Sequence, residues 1–270
     1  MMNDNLKSVL KKGYFLYEAI TNYRFYNLRK QTNGMLWPVV YKTMYEQCRN
    51  LPDLDIIEVG GATGAGSIAI AWGLKDANKK SQLIVVEKCQ GGTRSDVGGY
   101  EDNLALIQEH FEKFDANEKI TLFPHEVTFD NGKDVISLVK TEEIAGFIHD
   151  ADGRLDRDFW LFWPLLKTNG LIIVDDYADE PKYKPISERH PQGGTKSVMT
   201  YRLLNQIIEW GLFKTSKKIG KTIFGYKPAD ADFSRFDLEV CNQIIEDVRR
   251  EQESFLDSQE EALVQVERLA

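Results

Sequence analysis

The chain has 270 residues, 42% hydrophobic and 28% charged, enough for one large domain with appendages and the composition of a soluble globular protein. Its formal net charge of −8 argues against a duplex nucleic-acid partner, whose phosphates are gripped by Lys and Arg. No run approaches the roughly 20 apolar residues that span a bilayer, and lysines interrupt the apolar residues at the N-terminus, so neither membrane insertion nor export is expected.

Residues 1–50 have a helical, aromatic-rich pattern that includes Tyr14, Tyr23, Phe25, Trp37, Tyr41 and Tyr45. They are expected to form a helical N-terminal cap, with aromatic packing into the core as the simpler use of these rings. Residues 51–228 follow a different rhythm. Strand-like runs DIIEVG (55–60), QLIVVE (82–87), KITLFPHE (119–126), AGFIHD (145–150) and LIIVDD (171–176) are separated by helical stretches. The helices between them are GSIAIAWGLKDA, GYEDNLALIQEHFEKF, GKDVISLVKT and RLDRDFWLFWPLLKT. Short continuous apolar strands alternating with helices predict an α/β fold, a parallel sheet covered on both faces. A loop over residues 178–194 then leads to the helix TKSVMTYRLLNQIIEWG, and LFKTSKKIGKTIFGYKP reads as two strands around Ile219-Gly220. So short a connection requires an antiparallel hairpin, which makes the last strand antiparallel. Residues 229–270 form a charged tail, read as a solvated helix packed on one face. Cys48, Cys89 and Cys241 lack CxxC or zinc-type spacing and read as reduced thiols of a cytoplasmic protein.

The first strand runs into Glu58-Val59-Gly60-Gly61-Ala62-Thr63-Gly64. Glycines at a strand-to-helix turn let backbone approach a ligand and open a helix whose first amides face it; a merely tight turn is the alternative. A dinucleotide fingerprint fits poorly, because Ala62 stands where the middle glycine belongs and Glu58 precedes the turn. A carboxylate there suits a cationic or amino group better than a pyrophosphate. On EVGGATGAG the chain resembles the class I S-adenosylmethionine (SAM)-dependent methyltransferases. The resemblance spans about Asp53 to Pro228 and implies their Rossmann-like, seven-stranded, mostly parallel sheet with an antiparallel last strand. It also implies that Glu58, Gly60, Gly61, Ala62, Thr63 and Gly64 lie beside the methionyl part of SAM. Glu87 and Lys88 then stand at the ribose end, with Asp150 also facing the cofactor. The glycine-rich connection after Glu87, with Arg94 and Tyr100, suggests a loop over the adenosine.

Two strands end in acid, IHDADG with Asp150 and Asp152, and LIIVDDY with Asp175 and Asp176. Strand ends of an open α/β sheet share one crevice, and carboxylates crowded there need a cation or protons. A hard divalent ion such as Mg²⁺ is the simplest answer, turn and cap roles for the aspartates being the alternative. The stretch HDADGRLDRDFWLFWPLLKTNGLIIVDDY resembles the metal-dependent small-molecule O-methyltransferases, including the sugar O-methyltransferases of macrolide and aminocoumarin pathways. By that resemblance Asp150, Asp175 and Asp176 hold the metal, with Asp152 in reserve, and the acceptor is a small hydroxylated molecule. Sugar-methylating relatives often carry a histidine where Gly153 stands here. His149 and His190 are therefore the candidate bases, and Arg154 a candidate clamp for an acceptor carboxylate or phosphate. Asp156 and Asp158, in the first turn of a helix, read as acids favoured by its dipole. Metal-free N- or O-methylation, an NAD-dependent oxidoreductase and a non-catalytic protein keeping the fold remain alternatives. The aromatic N-terminus and charged tail offer surface to a second copy, so a homodimer is among the expected partners.

Overall fold

A computed structural model describes residues 20–89, 103–187 and 193–269, together with Gly13 and Tyr17, and side chains as far as residue 259. Seven strands form one sheet: β1 (Asp55–Val59), β2 (Leu83–Val86), β3 (Ile120–Phe123), β4 (Ile144–His149), β5 (Leu166–Val174), β6 (Lys214–Ile219) and β7 (Thr222–Tyr226). Their order is β3-β2-β1-β4-β5-β7-β6, parallel except that β7 runs antiparallel to both β5 and β6. The Ile219-Gly220 turn makes the hairpin, and β7 inserts between β5 and β6 rather than ending the sheet. The helices are α1 (Tyr23–Gln31), α2 (Pro38–Asn50), α3 (Ala65–Asp76), α4 (Asn103–Lys113), α5 (Gly132–Ile136), α6 (Leu155–Phe162), α7 (Thr195–Glu209) and α8 (Leu238–Leu269).

Strand residues alternate between two cores, which is why the runs are apolar throughout. Ile57, Val59, Ile84, Phe147, Ile172 and Val174 pack on one face with α6, α7 and α8. Ile56, Leu83, Val85, Ile148 and Ile173 pack on the other with α1, α2 and α3. The aromatic N-terminal region divides its work: Phe25 and Tyr41 are buried in this second core, while Trp37 and Met35 stay half-exposed. The tail behaves as an amphipathic helix, with Cys241, Ile245 and Val248 of α8 buried and Arg202 of α7 paired with Glu251 at 2.7 Å. No helix among the described residues is long and apolar enough to cross a membrane.

One expectation is corrected. The helix read through Leu165–Thr168 ends at Phe162, passes through a 3-10 turn at Trp163–Leu165 and becomes β5 from Leu166. Pro164 supplies the reason, since its ring and missing N–H stop a helix. The register of β4 on β5 then slips between Ile144 and Gly146, with Asn169 in the left-handed region.

Candidate active site

The strand order reverses between β1 and β4, and ligands of open α/β sheets sit beyond the carboxyl ends at such a point. A small open cleft lies there, lined by Met35, Leu36, Tyr41, Glu58, Gly60, Gly61, Ala62, Thr63, Ala65, Gly66 and Asp150. The turn is shaped by contacts that exclude side chains. Gly60 has φ +99°, and a Cβ there would stand 2.3 Å from the carbonyl oxygen of Asp150. Gly66 leaves room for Glu58, whose Oε1 would be 2.6 Å from an added Cβ. Ala62 takes a left-handed φ of +46°, where most residues are strained. Two neighbours hold it: its N–H donates to Glu87 Oε2 at 2.7 Å, and its carbonyl accepts from Asn103 at 3.1 Å.

Glu58 is 3% exposed, and its strong partner among the described residues is the Ser67 hydroxyl, which donates to Oε2 at 2.5 Å. Burial, reinforced by the charge of Glu87, pushes its carboxyl up to about 7, against the lowering pull of Ser67. Gly64, at φ +86°, caps the start of α3. Lys88 is half-exposed and lies 3.9 Å from Glu126 at the surface. Arg94, Tyr100 and His190 lie outside the described residues.

Beside this cleft the second pair of strand ends meets the first. Carboxylate oxygens of Asp150, Asp175 and Asp176 lie within 4.8 Å of one another, as the sequence predicts. Thr222 of β7 donates to Asp175 Oδ1 at 2.5 Å. Between the acids lies a group the sequence reading missed, Lys196, whose Nζ is 2.7 Å from Asp176 and 3.5 Å from Asp150. Burial and the neighbouring Asp175 raise Asp150 well above the carboxylate range, and burial with Asp176 raises Asp175. Burial works the same way on Asp176, yet the Lys196 ammonium outweighs it and holds that carboxyl low. Burial opposes the charge on Lys196, but Asp150 and Asp176 keep it above the ordinary lysine value.

Gly153 explains how the lysine reaches the acids. Its φ is +85°, and a Cβ there would meet the Lys196 carbonyl at 3.2 Å. The loop where a histidine is expected is thus packed on the backbone of Lys196. A signal for this residue exists in the sequence. Lys196 is the second residue of α7, in a first turn with no acid, where the helix dipole disfavours a cation unless carboxylates face it.

The remaining candidates belong to a chain of ion pairs that links His149, at the end of β4, to the start of α6. His149 is 0% exposed, and its Nδ1 lies 2.6 Å from Asp158 Oδ2. Asp158 also accepts from Arg157 Nε at 2.8 Å, and Arg157 donates to both oxygens of Asp152 at 2.8 and 3.2 Å. This corrects two expectations. His149 is sealed in the core and is not presented to an acceptor. Asp152 is bound by Arg157, which pulls its carboxyl down to about 2 despite burial, and it stands outside the converging triad of Asp150, Asp175 and Asp176. Arg154 gives Nε and Nη2 to Asp156 at 2.9 and 2.8 Å, which engages that edge of its guanidinium while the side chain stays partly exposed. Asp156 and Asp158, read as dipole acids, are both fully buried members of these pairs.

No protein-family model and no curated protein matches the chain. Solved structures do match its architecture. SAH-bound methyltransferase PaMTH1 from Podospora anserina is 14% identical, with 85% of this chain and 98% of that one covered at a TM-score of 0.59. An O-methyltransferase from Bacillus cereus in complex with SAH is 14% identical over 80% of this chain and 97% of its own, at 0.55. TomG from Streptomyces achromogenes, an O-methyltransferase of tomaymycin synthesis in complex with SAM, is 10% identical over 80% and 96%, at 0.53. The chain has the class I methyltransferase fold. Within that fold, Glu58 and the glycine turn occupy the β1 end and the aspartates the β4 and β5 ends, as the motif resemblance implies.

Proposed function

We propose that the protein transfers the methyl group of SAM to a hydroxyl of a small molecule, of sugar or natural-product type. The observation that carries this reading is the double position of Asp150. Its backbone closes on Gly60 of the glycine turn and it lines the cleft, while its carboxylate belongs to the acidic triad. A cofactor in the cleft and an acceptor over the triad would be neighbours, the proximity that a methyl transfer needs. The buried Glu58, which has no cationic partner among the described residues, suits the positively charged methionyl end of SAM.

In the reaction the acceptor oxygen attacks the sulfonium methyl, the new C–O bond forms as C–S breaks and S-adenosylhomocysteine departs with the bond's electron pair, and the hydroxyl proton is released to solvent. Three converging carboxylates are a donor set for a hard cation, so Asp150, Asp175 and Asp176 would hold a divalent ion. Such an ion supplies Lewis acidity that lowers the pKa of a hydroxyl. The chain's own contribution is to fix the donors: Thr222 orients Asp175, and the Gly60 contact sets Asp150. Lys196 supports a second reading, methyl transfer without a divalent ion, because a cation of the protein's own already faces the acids.

Calorimetric titration separates the cofactor classes. SAM and SAH should bind with micromolar or better affinity and NAD should not; binding of NAD without SAM would overturn the assignment. With SAM bound, hydroxylated small molecules can be screened for transfer of a labelled methyl group.

A further inference from the structure

Lys196 stands where a cation bridging the acids would have to compete with it. Its Nζ approaches Asp176 Oδ2 to 2.7 Å and Asp150 Oδ1 to 3.5 Å, two of the three carboxylates that converge in the triad. The side chain is four-fifths shielded from solvent. It reaches this position because Gly193 and Gly194, both at positive φ, turn the chain into α7, and because Gly153 admits its backbone. A Cβ on Gly194 would stand 2.6 Å from the carbonyl of Lys182, so the turn is tightly defined. A hard ion binding the same oxygens at roughly 2.0–2.6 Å would have the ammonium as an immediate neighbour of like charge.

We infer that Lys196 is the resident cation of the triad, and that its ammonium and a divalent ion are mutually exclusive occupants. The ammonium sits on the acids when no metal is bound and must swing away for one to enter. Lys196 therefore sets the metal affinity of the site. Lys221, whose Nζ is 3.9 Å from Asp176 and whose side chain is 55% exposed, lies at the rim and lacks this role. The inference rests on the proposed use of the triad in methyl transfer only for its biological meaning. The competition itself is a property of the acids and the lysine.

The test measures Mn²⁺ binding directly, by calorimetry and by loss of the free-ion electron spin resonance signal, on the full chain without SAM. Lys196→Gln should bind Mn²⁺ at least ten-fold more tightly than the wild type. Lys196→Arg, which keeps the charge, should stay within about three-fold of it, as should Lys221→Gln. If Lys196→Gln folds poorly, Lys196→Met keeps the bulk of the stem, and refolding by Mn²⁺ but not by NaCl of matched ionic strength would also support the competition. Equal Mn²⁺ affinity in the wild type and Lys196→Gln, whether tight or undetectable, would overturn it. A parallel SAM titration of each variant keeps the two readings apart. Loss of SAM binding in the wild type defeats the methyltransferase assignment and leaves the metal result standing.

Discussion

Two clusters of carboxylates stand at the same, carboxyl-terminal edge of the sheet, and they are neutralised in opposite ways. At the β1 end, Glu58 is buried against a hydroxyl, while Glu87 accepts from the Ala62 amide. Burial, reinforced by the charge of Glu87, outweighs the lowering pull of the Ser67 hydroxyl and raises the Glu58 carboxyl to about 7. At the β4 and β5 ends, the acids face an ammonium that the chain itself provides. Among the described residues the first cluster is met by neutral donors, the second by an ammonium. This difference predicts that removing charge should have opposite effects on stability in the two places.

The largest effect is expected at the triad. Replacing Lys196 by Gln in the absence of metal leaves buried acids without their counter-charge, a change that typically costs about 3–5 kcal/mol. Urea unfolding of metal-free protein at neutral pH should show a loss of that size, and addition of Mn²⁺ should recover part of it. A variant as stable as the wild type would mean that the acids are neutralised by protons alone, and the contrast between the two clusters would disappear.

The opposite sign belongs to Glu58. Its folded value of about 7 lies above the ordinary 4.5 of a glutamate, so the folded state holds more protons than the unfolded state between those limits. Its contribution is therefore most favourable below pH 4.5, is lost as pH rises towards 7, and stays lost above. A shift of this size corresponds to about 3 kcal/mol. Glu58→Gln should accordingly stabilise the unliganded protein at pH 8 by about 2 kcal/mol while changing little at pH 5. The difference in unfolding free energy between variant and wild type, followed from pH 5 to 8, measures this directly. A variant less stable than the wild type at pH 8 would show that Glu58 is already compensated.

What the sequence made legible follows the same division. The strands, the glycine turn and the meeting of Asp150 with Asp175 and Asp176 were readable because each lies at the end of an apolar run, and parallel strands send such ends to one edge. Partners that arrive from other elements were not readable in this way. Lys196 comes from α7, twenty residues beyond Asp176, and Thr222 from the strand that inserts beside β5. His149 was offered as a base because of its residue type. Its position in β4 puts it on the face of Phe147, in the core, where Asp158 holds it. Acids in the first turn of a helix satisfy the dipole whether exposed or buried, so the pattern at Asp156 and Asp158 could not reveal that both are sealed into ion pairs. His190 falls outside the described residues.

The smallest and most specific effect concerns the cofactor. If the positively charged end of SAM binds beside Glu58, it binds the ionised form, and a carboxyl titrating near 7 makes that form scarce at pH 6 and dominant at pH 8. SAM affinity should then rise about ten-fold between pH 6 and 8, a gain of about 1.4 kcal/mol. Binding at pH 6.5 should expel a proton, visible in calorimetry as an enthalpy that depends on the ionisation heat of the buffer. Glu58→Gln should bind SAM more weakly, with no proton released and no such pH slope. Ser67→Ala offers a finer control, because the hydroxyl lowers the Glu58 value; its removal should move the midpoint of the affinity profile to higher pH while the slope persists. A flat profile in the wild type would place the cationic end of the cofactor away from Glu58, and the glycine cleft would then share with the triad only its acids.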